Sequence, residues 1–385
     1  MASVQKLGPP VYENWQAMLI GEPLQHAAEF PLYSDALIVG EGTYGPYVFL
    51  HTVPLRTSGV VRPTLILRSE WYWAFPYPSF EKTDAERYHA GTPPEEIAAL
   101  ASLAMGVRMR AGESVRDFFP GGDPKGTPRA WATRPEPVLM VNPILHSWIL
   151  PRAVENEHSI ELLQPLTMLP KMSPQDAISL VRAARSYQDA LWLVESEPEL
   201  AWLLMVAALE TAANHWRREK ETPTARLESA NAQLYSYLLG LGNAEILARV
   251  ADEIADSLGA TRKFLDFVLN FLPPEPEERP QLGKIDWTPE ALKKILKVIY
   301  GYRSKALHEG RPFPAPMCEA PHRADKSSAP AEKPISLGSS QGGGVWLAKD
   351  TPLLLHTFEY ITRGSLINWW RSMAAKDISP HSGPQ

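Results

Sequence analysis

Residues 288–311, TPEALKKILKVIYGYRSKALHEGR, gather the side-chain types that phosphoester chemistry needs. Lys293, Lys294, Lys297, Arg303, Lys305 and Arg311 stand against only Glu290 and Glu309, in a chain whose formal net charge is −6. Thr288-Pro289 is a helix start: a hydroxyl caps the first amides, and proline sits where no amide bond is needed. Gly310 and Pro312 supply the stop. Solvation, and the favourable placement of cations toward a helix C-terminus, account for the lysines. They do not account for Arg303, Ser304 and His308. Ser304 and His308 share a face, whereas Arg303 lies about 140° around the axis from His308 and about 7.5 Å along it, on a stem flexible enough to reach back.

A guanidinium offers a planar fork to phosphate and stays charged. An imidazole takes or gives a proton near neutral pH. Together they suit cleavage of RNA without a metal. His308 would assist proton transfer from the 2′-hydroxyl or to the leaving oxygen, and Arg303 would stabilise charge growing on the phosphorus oxygens. Lys305 would hold a flanking phosphate, with Lys297 and Arg311 as further RNA contacts. As a bare pattern R-x4-H is common. The same chain holds a looser pair, Arg152 and His158, in a strand-like stretch.

Other chemistries lack their residues. GEGTYG, 40–45, matches the phosphate fingerprint G-x-G-x-x-G, but Pro46 and strand-like YVFL follow where a helix is required, so a hairpin turn is expected. V-A-I-K, H-R-D, D-F-G, G-x-S-x-G, H-E-x-x-H and C-x-x-C are absent. Cys318 is the sole cysteine, which excludes an internal disulfide framework and a thiolate metal cluster and fits a reducing compartment. The spacing of His308, Cys318 and His322 matches no zinc pattern, so neither metal nor cofactor is expected. The aromatic residues of SEWYWAFPYPSF, 69–80, read as core bulk, with a base-stacking platform as the alternative. No apolar run approaches the ~20 residues of a membrane span, and the first residues, MASVQKLGPPVYENW, carry no apolar core of a secretory signal. A cytoplasmic protein without a membrane partner is expected.

The elements that must position the cationic helix follow from texture. A chain of 385 residues sets a prior of two domains. Residues 1–170 hold short β-branched or aromatic runs (DALIVG, YVFLHTV, RPTLILRS, PVLMVN, HSWIL) and one helix at Pro94–Met105, which predicts a mainly β or mixed N-terminal domain. Beyond Leu169, helical periodicity takes over. Ser173-Pro174, Thr288-Pro289 and Thr351-Pro352 mark helix starts. A helix over Ser173–Glu195 packs beside PELAWLLMVAALETAANHW, whose apolar girth belongs at the centre of a bundle. Short helices fill 225–272, broken at Gly242 and Gly259 and stopped by Pro273-Pro274. Residues 312–350 read as a mobile loop, the helix from Thr351 to about Ala374 closes the bundle, and 375–385 read as a disordered tail. The expected class is α+β: an N-terminal mainly β or mixed domain, 1–170, then an all-α bundle, 171–374.

Three segments carry a resemblance. ALET (Ala208, Leu209, Glu210, Thr211) lies in the central helix, ATRKFLDFVLNFL precedes the proline break, and YGYRSKALHEGRPFP contains Arg303 and His308. Over about 173–374 the chain resembles the HEPN superfamily, specifically the ApeA-like HEPN domains of bacteria. YGYRSKALHEGRPFP looks like their R-x4-6-H motif with its trailing His-Glu-Gly, although Ser304 stands where the family commonly has Asn, Asp or His. The resemblance implies a helical bundle that forms a homodimer, two Arg/His sets in one cleft, and metal-independent endoribonuclease activity in phage defence or as a toxin. By analogy, the N-terminal domain would sense a trigger or restrain the nuclease. Glu210 either orients a catalytic group or is a buried carboxylate satisfied by a bundle partner. The expected function is therefore RNA cleavage through Arg303, Ser304 and His308. A catalytically inactive HEPN module for interaction or nucleotide binding remains the alternative.

Overall fold

The computed structural model describes residues 7–52, 59–75, 80, 83–139, 147–218, 222–254, 259–325 and 328–376 of the chain. Helix α1 (Pro10–Leu19) begins on a proline and buries Val11, Tyr12 and Trp15. Strands β1 (His26–Ser34), β2 (Leu37–Val39), β3 (Gly42–Tyr44), β4 (Tyr47–His51) and β5 (Arg62–Trp71) follow, then α2 (Pro93–Met105). Short strands β6 (Arg110–Ala111), β7 (Arg116–Phe118) and β8 (Thr127–Pro128) precede the one-turn helix α3 (Pro151–Glu155) and β9 (Glu157–Ser159). A 3-10 segment, Ile160–Lys171, leads to α4 (Pro174–Leu193) and α5 (Pro198–Arg218). Helices α6 (Pro223–Ala230), α7 (Ala232–Gly240), α8 (Ala244–Ile254), α9 (Ala260–Asn270) and α10 (Pro289–Glu309) come next. A hairpin of β10 (Gly338–Gln341) and β11 (Gly344–Leu347) precedes α11 (Leu355–Lys376).

The layout is α+β, an antiparallel sheet region followed by a helical region. The main sheet runs β3-β4-β5-β1-β7-β8, with β6 also on β1, and every pairing in it is antiparallel. Phe49 opposes Leu67 and Leu65 opposes Leu32 across the ladders, and all four are fully buried. Gly42–Tyr44 of GEGTYG is β3 itself and Gly45 enters the β3–β4 turn with Pro46, so the segment lies in a hairpin as expected. Gly45 has φ +57°, and a Cβ there would lie 2.2 Å from the Trp15 indole, so both backbone and packing require glycine.

One core, from Val11 to Ala374, runs through both regions and takes in most of α2. Ile97 through Met105 are buried on every side. The last carbonyls of α2, those of Leu103 and Ala104, accept from the Arg363 guanidinium of α11, at 3.0 and 2.5 Å. A cation from the helical region thus closes the C-terminus of a helix that covers the sheet. Among the described residues, no helix is long and apolar enough to cross a membrane.

Several local expectations need correction. Helix α1 carries its buried residues at helical spacing but lies where no element was expected. Among their described residues, PVLMVN and HSWIL form no strand. The Ile149 amide donates to the Glu195 carboxylate at 3.1 Å instead of to a ladder. Arg152 is in α3 and His158 in β9, so that looser pair is not a strand pair. Thr351-Pro352 does not start α11: the Leu354 amide bonds back to the Glu332 carbonyl at 2.9 Å, and the helix begins at Leu355. The expected tail beyond residue 376 lies outside the described residues.

Residues 312–350, read from composition as a mobile loop, divide in their described part: 313–318 and 330–332 pack into the helical region, whereas most of 333–350, Leu337 and Val345 included, is exposed. Phe313, Met317, Ala331 and Glu332 are buried. Glu332 binds Arg279 through both carboxylate oxygens, at 2.7 and 2.6 Å, and accepts the Ile285 amide at 2.8 Å. The His356 Nε2 sits 2.7 Å from the Ala331 carbonyl.

Two consequences can be measured. Arg108 is fully buried. Its Nε donates to the Leu191 carbonyl at 2.8 Å and its terminal nitrogens to Asp35 at 2.6 Å and Glu195 at 2.5 Å. Arg108→Ala strands two carboxylates away from water, and urea unfolding should show a loss of about 3–5 kcal/mol. Arg68→Ala, which breaks a half-exposed pair, should cost about 0–1 kcal/mol. Burial pushes the His356 imidazole down to about 4 from its ordinary 6.5. The unfolded chain then gains a proton before the native state does. The stability contributed above pH 6.5 is lost as pH falls toward 4, by up to about 1.4 kcal/mol per unit. The urea midpoint of His356→Gln should fall less steeply than that of the wild type over this window.

Candidate functional site

Helix α10 starts as its sequence dictates, with the Thr288 hydroxyl accepting the Ala291 amide, and ends on Gly310 at φ +66°. Its buried stripe is Leu292, Leu296, Ile299 and Tyr300. At about 100° per residue Arg303 continues that stripe, so its side chain faces the bundle. There it meets α5. The Arg303 guanidinium donates to Glu210 Oε2 at 2.7 Å, and the Tyr300 hydroxyl donates to Glu210 Oε1 at 2.8 Å. The guanidinium also lies 5.6 Å from the centre of the Tyr300 ring. Burial, and then the Glu210 carboxylate, push the Tyr300 phenol well above its ordinary value, so it stays a donor.

The other candidates lie elsewhere on the helix. Lys293, Lys294, Lys297, Ser304, Lys305 and His308 fall within an arc of about 120°, extending about 22 Å along the axis. All but half-buried Ser304 are exposed. Gly301 sits inside this arc with open space above it. The Lys305 ammonium lies 5.8 Å from the Tyr302 ring, whose hydroxyl donates to the Asp350 carbonyl at 2.6 Å. Past the helix end, exposed Arg311 pairs with Glu309 at 3.1 Å.

The geometry therefore brings Arg303, Glu210 and Tyr300 together, and Ser304, Lys305 and His308 together, on two flanks of one helix. Within one chain the Arg303 stem does not reach back toward His308; it extends to Glu210 instead. Tyr300 was missed in the sequence, although its place three residues before Arg303 on the buried stripe is a readable signal. Three cavities elsewhere in the molecule are not lined by Arg303, Ser304 or His308. Among the described residues, no group of three or more metal-ligating side chains is assembled.

In comparisons with protein-family models, curated proteins and solved structures, nothing matches this chain. The site therefore has to be read from its own chemistry. A guanidinium oriented by a carboxylate and a phenol keeps outward N–H donors in a fixed plane. An exposed imidazole at a helix end is free to exchange protons with solvent or a ligand.

The shared carboxylate makes the cluster non-additive. Glu210→Ala should cost about 1–3 kcal/mol in urea unfolding and Tyr300→Phe about 1 kcal/mol, since charged hydrogen bonds exceed neutral ones. The double variant should cost no more than about 0.5 kcal/mol beyond Glu210→Ala. Full additivity would show that the three side chains do not act as one network.

Proposed function

We propose that the chain is a metal-independent endoribonuclease of the HEPN type that cleaves RNA through Arg303 and His308 as a homodimer. The setting would be a reducing cytoplasm, in phage defence or as a toxin. The observation that carries this reading is the pairing of a guanidinium held by Glu210 and Tyr300 with a cationic stripe ending in an exposed imidazole. The stripe offers Lys297 and Lys305 to successive phosphates, a contact that depends on salt and not on base identity.

In the reaction His308 takes the proton of the 2′-hydroxyl as its oxygen attacks the neighbouring phosphorus. The 5′-oxygen leaves as it takes a proton from the imidazolium so formed or from water, and a cyclic phosphate remains on the upstream fragment. Arg303 donates to the non-bridging oxygens as their charge grows. Ser304, one turn before His308, can hold a phosphate or sugar oxygen. Because Arg303 and His308 lie on different flanks of α10, the reading assigns the two side chains at one phosphate to two copies of the chain.

Purified protein incubated with a labelled RNA and a chelator decides the matter. Cleavage should persist with chelator, leave cyclic-phosphate ends, and fall at least ~100-fold in His308→Ala and in Arg303→Ala. Mixing the two variants should restore part of the activity, since a mixed pair carries one complete set. Equal cleavage by wild type and by both variants would end the proposal. Binding without cleavage, abolished by Lys293→Glu and Lys294→Glu, would favour a polyanion-binding helix instead.

A further inference from the structure

Away from α10, a cavity of about 700 Å³ opens between β1, β6, the start of α2, the middle of α4 and the 129–138 segment. Its size falls in the range of small-molecule sites, roughly 300–1,000 Å³. Four arginines and five carboxylates line it. Nearly all of these charges are already committed. Asp189 takes Arg110 at 2.9 Å, Asp117 takes Arg129 at 2.8 Å, and Arg134 lies 3.9 Å from both Glu95 and Glu113. Glu136 accepts from the Tyr33 hydroxyl.

Arg185 is the exception. Its guanidinium donates to Gln188 Oε1 at 3.2 Å, and its Nε is buried with no partner. No carboxylate lies within ion-pair distance of it among the described residues. Arg110 shares its wall. Burial holds the Arg110 guanidinium below its ordinary value, Asp189 opposes this, and the Arg185 charge adds to it. Two neighbouring guanidiniums thus share one direct ion pair, with Glu95 acting on both at longer range, in a wall partly withdrawn from water. A buried N–H donor without a partner calls for an acceptor that the chain itself does not supply.

We infer that this cavity binds an anionic small molecule of about nucleotide size, whose phosphate or carboxylate group accepts hydrogen bonds from Arg185 and Arg110. The apolar wall of Phe30, Pro137 and Val138 suits a flat ring or hydrocarbon, while Glu113 and Asp117 can accept from ligand hydroxyl or amino groups. With four cations against five anions the lining has no long-range positive field, so recognition rests on short, directed bonds. Affinity should therefore change little with ionic strength. This site is independent of the proposed cleavage chemistry.

Isothermal titration of the full chain with adenosine 5′-monophosphate, inorganic phosphate and succinate tests it. At least one probe should bind with 1:1 stoichiometry and a Kd of about 1 mM or tighter. Tighter binding of the nucleotide than of phosphate identifies a phosphorylated nucleoside, and binding of succinate alone identifies a carboxylate ligand. Arg185→Gln should weaken binding at least ~10-fold, and Arg185→Lys by less, since the charge stays but the fork is lost. Thr133→Trp, at an exposed position on the rim, should block binding while Arg185 and Arg110 keep their places, and it serves if Arg185→Gln does not fold. His308→Ala should bind as the wild type does. No probe binding below about 10 mM, or unchanged affinity in folded Arg185→Gln and Thr133→Trp, overturns the inference.

Discussion

A single guanidinium that never meets water sets the relation between the sheet and the helices. Arg108 follows α2 and binds Asp35 beside β1, Glu195 beyond α4 and the Leu191 carbonyl within α4. Those partners belong to segments 73 to 87 residues away in sequence. Trp148 covers the guanidinium at 5.7 Å, and Glu195 uses its second oxygen for the Ile149 amide. Apolar side chains of similar volume can match such a cluster in net stability. They cannot match its directionality. Each bond fixes a separate segment, and a slip of any one strands a buried charge, so the cluster defines register where greasy contacts alone would tolerate sliding.

That constraint explains why one core serves two textures. Helix α2 is apolar around its circumference because the sheet covers one side of it and α4 and α11 the other. Arg363 caps its C-terminus from α11, and the Thr92 amide at its start is satisfied by the Glu95 carboxylate at 2.6 Å. Both helix ends thereby gain a side-chain partner. The same logic holds the chain between α10 and α11, where Glu332 meets Arg279 from before α10 and the Ala331 carbonyl meets His356 of α11, polar anchors that its Pro- and Gly-rich composition does not advertise.

What was legible follows from range. Hydroxyl-proline starts at Ser173 and Thr288 and the glycine stop at Gly310 are decided within a few residues, and the structure places α4 and α10 accordingly. The hairpin at GEGTYG is equally local. Thr351-Pro352 misled because a contact with Glu332, nearly twenty residues earlier, outweighs the capping signal. In their described residues PVLMVN and HSWIL form no strand, and in the second a side chain, Glu195, satisfies the Ile149 amide that a ladder would otherwise take. In the candidate site, periodicity put Ser304 and His308 on one face and Arg303 off it. The bond from Arg303 to Glu210 spans 93 residues, and no periodicity encodes it. The cavity around Arg185 draws its walls from five separate segments and left no trace in the sequence reading.

The Arg303–Glu210 pair bears on how the proposed chemistry would be timed. A guanidinium on a four-atom stem is normally disordered at a surface, and fixing it on binding a phosphate costs about 1–2 kcal/mol of side-chain entropy. Glu210 and Tyr300 meet that cost during folding. In return, the carboxylate lowers the positive potential that a phosphate would feel, which weakens ground-state binding. The transition state carries more charge on its non-bridging oxygens than the ground state does, so it gains more from donors already aimed at it. A held arginine thus favours turnover over tight binding, and leaves affinity to the lysine stripe on the other flank of the helix. Under the proposed reading, the lysines that adhere share a flank of α10 with His308, while the arginine that meets the growing charge is held on the other, so adhesion can be weakened without loosening Arg303.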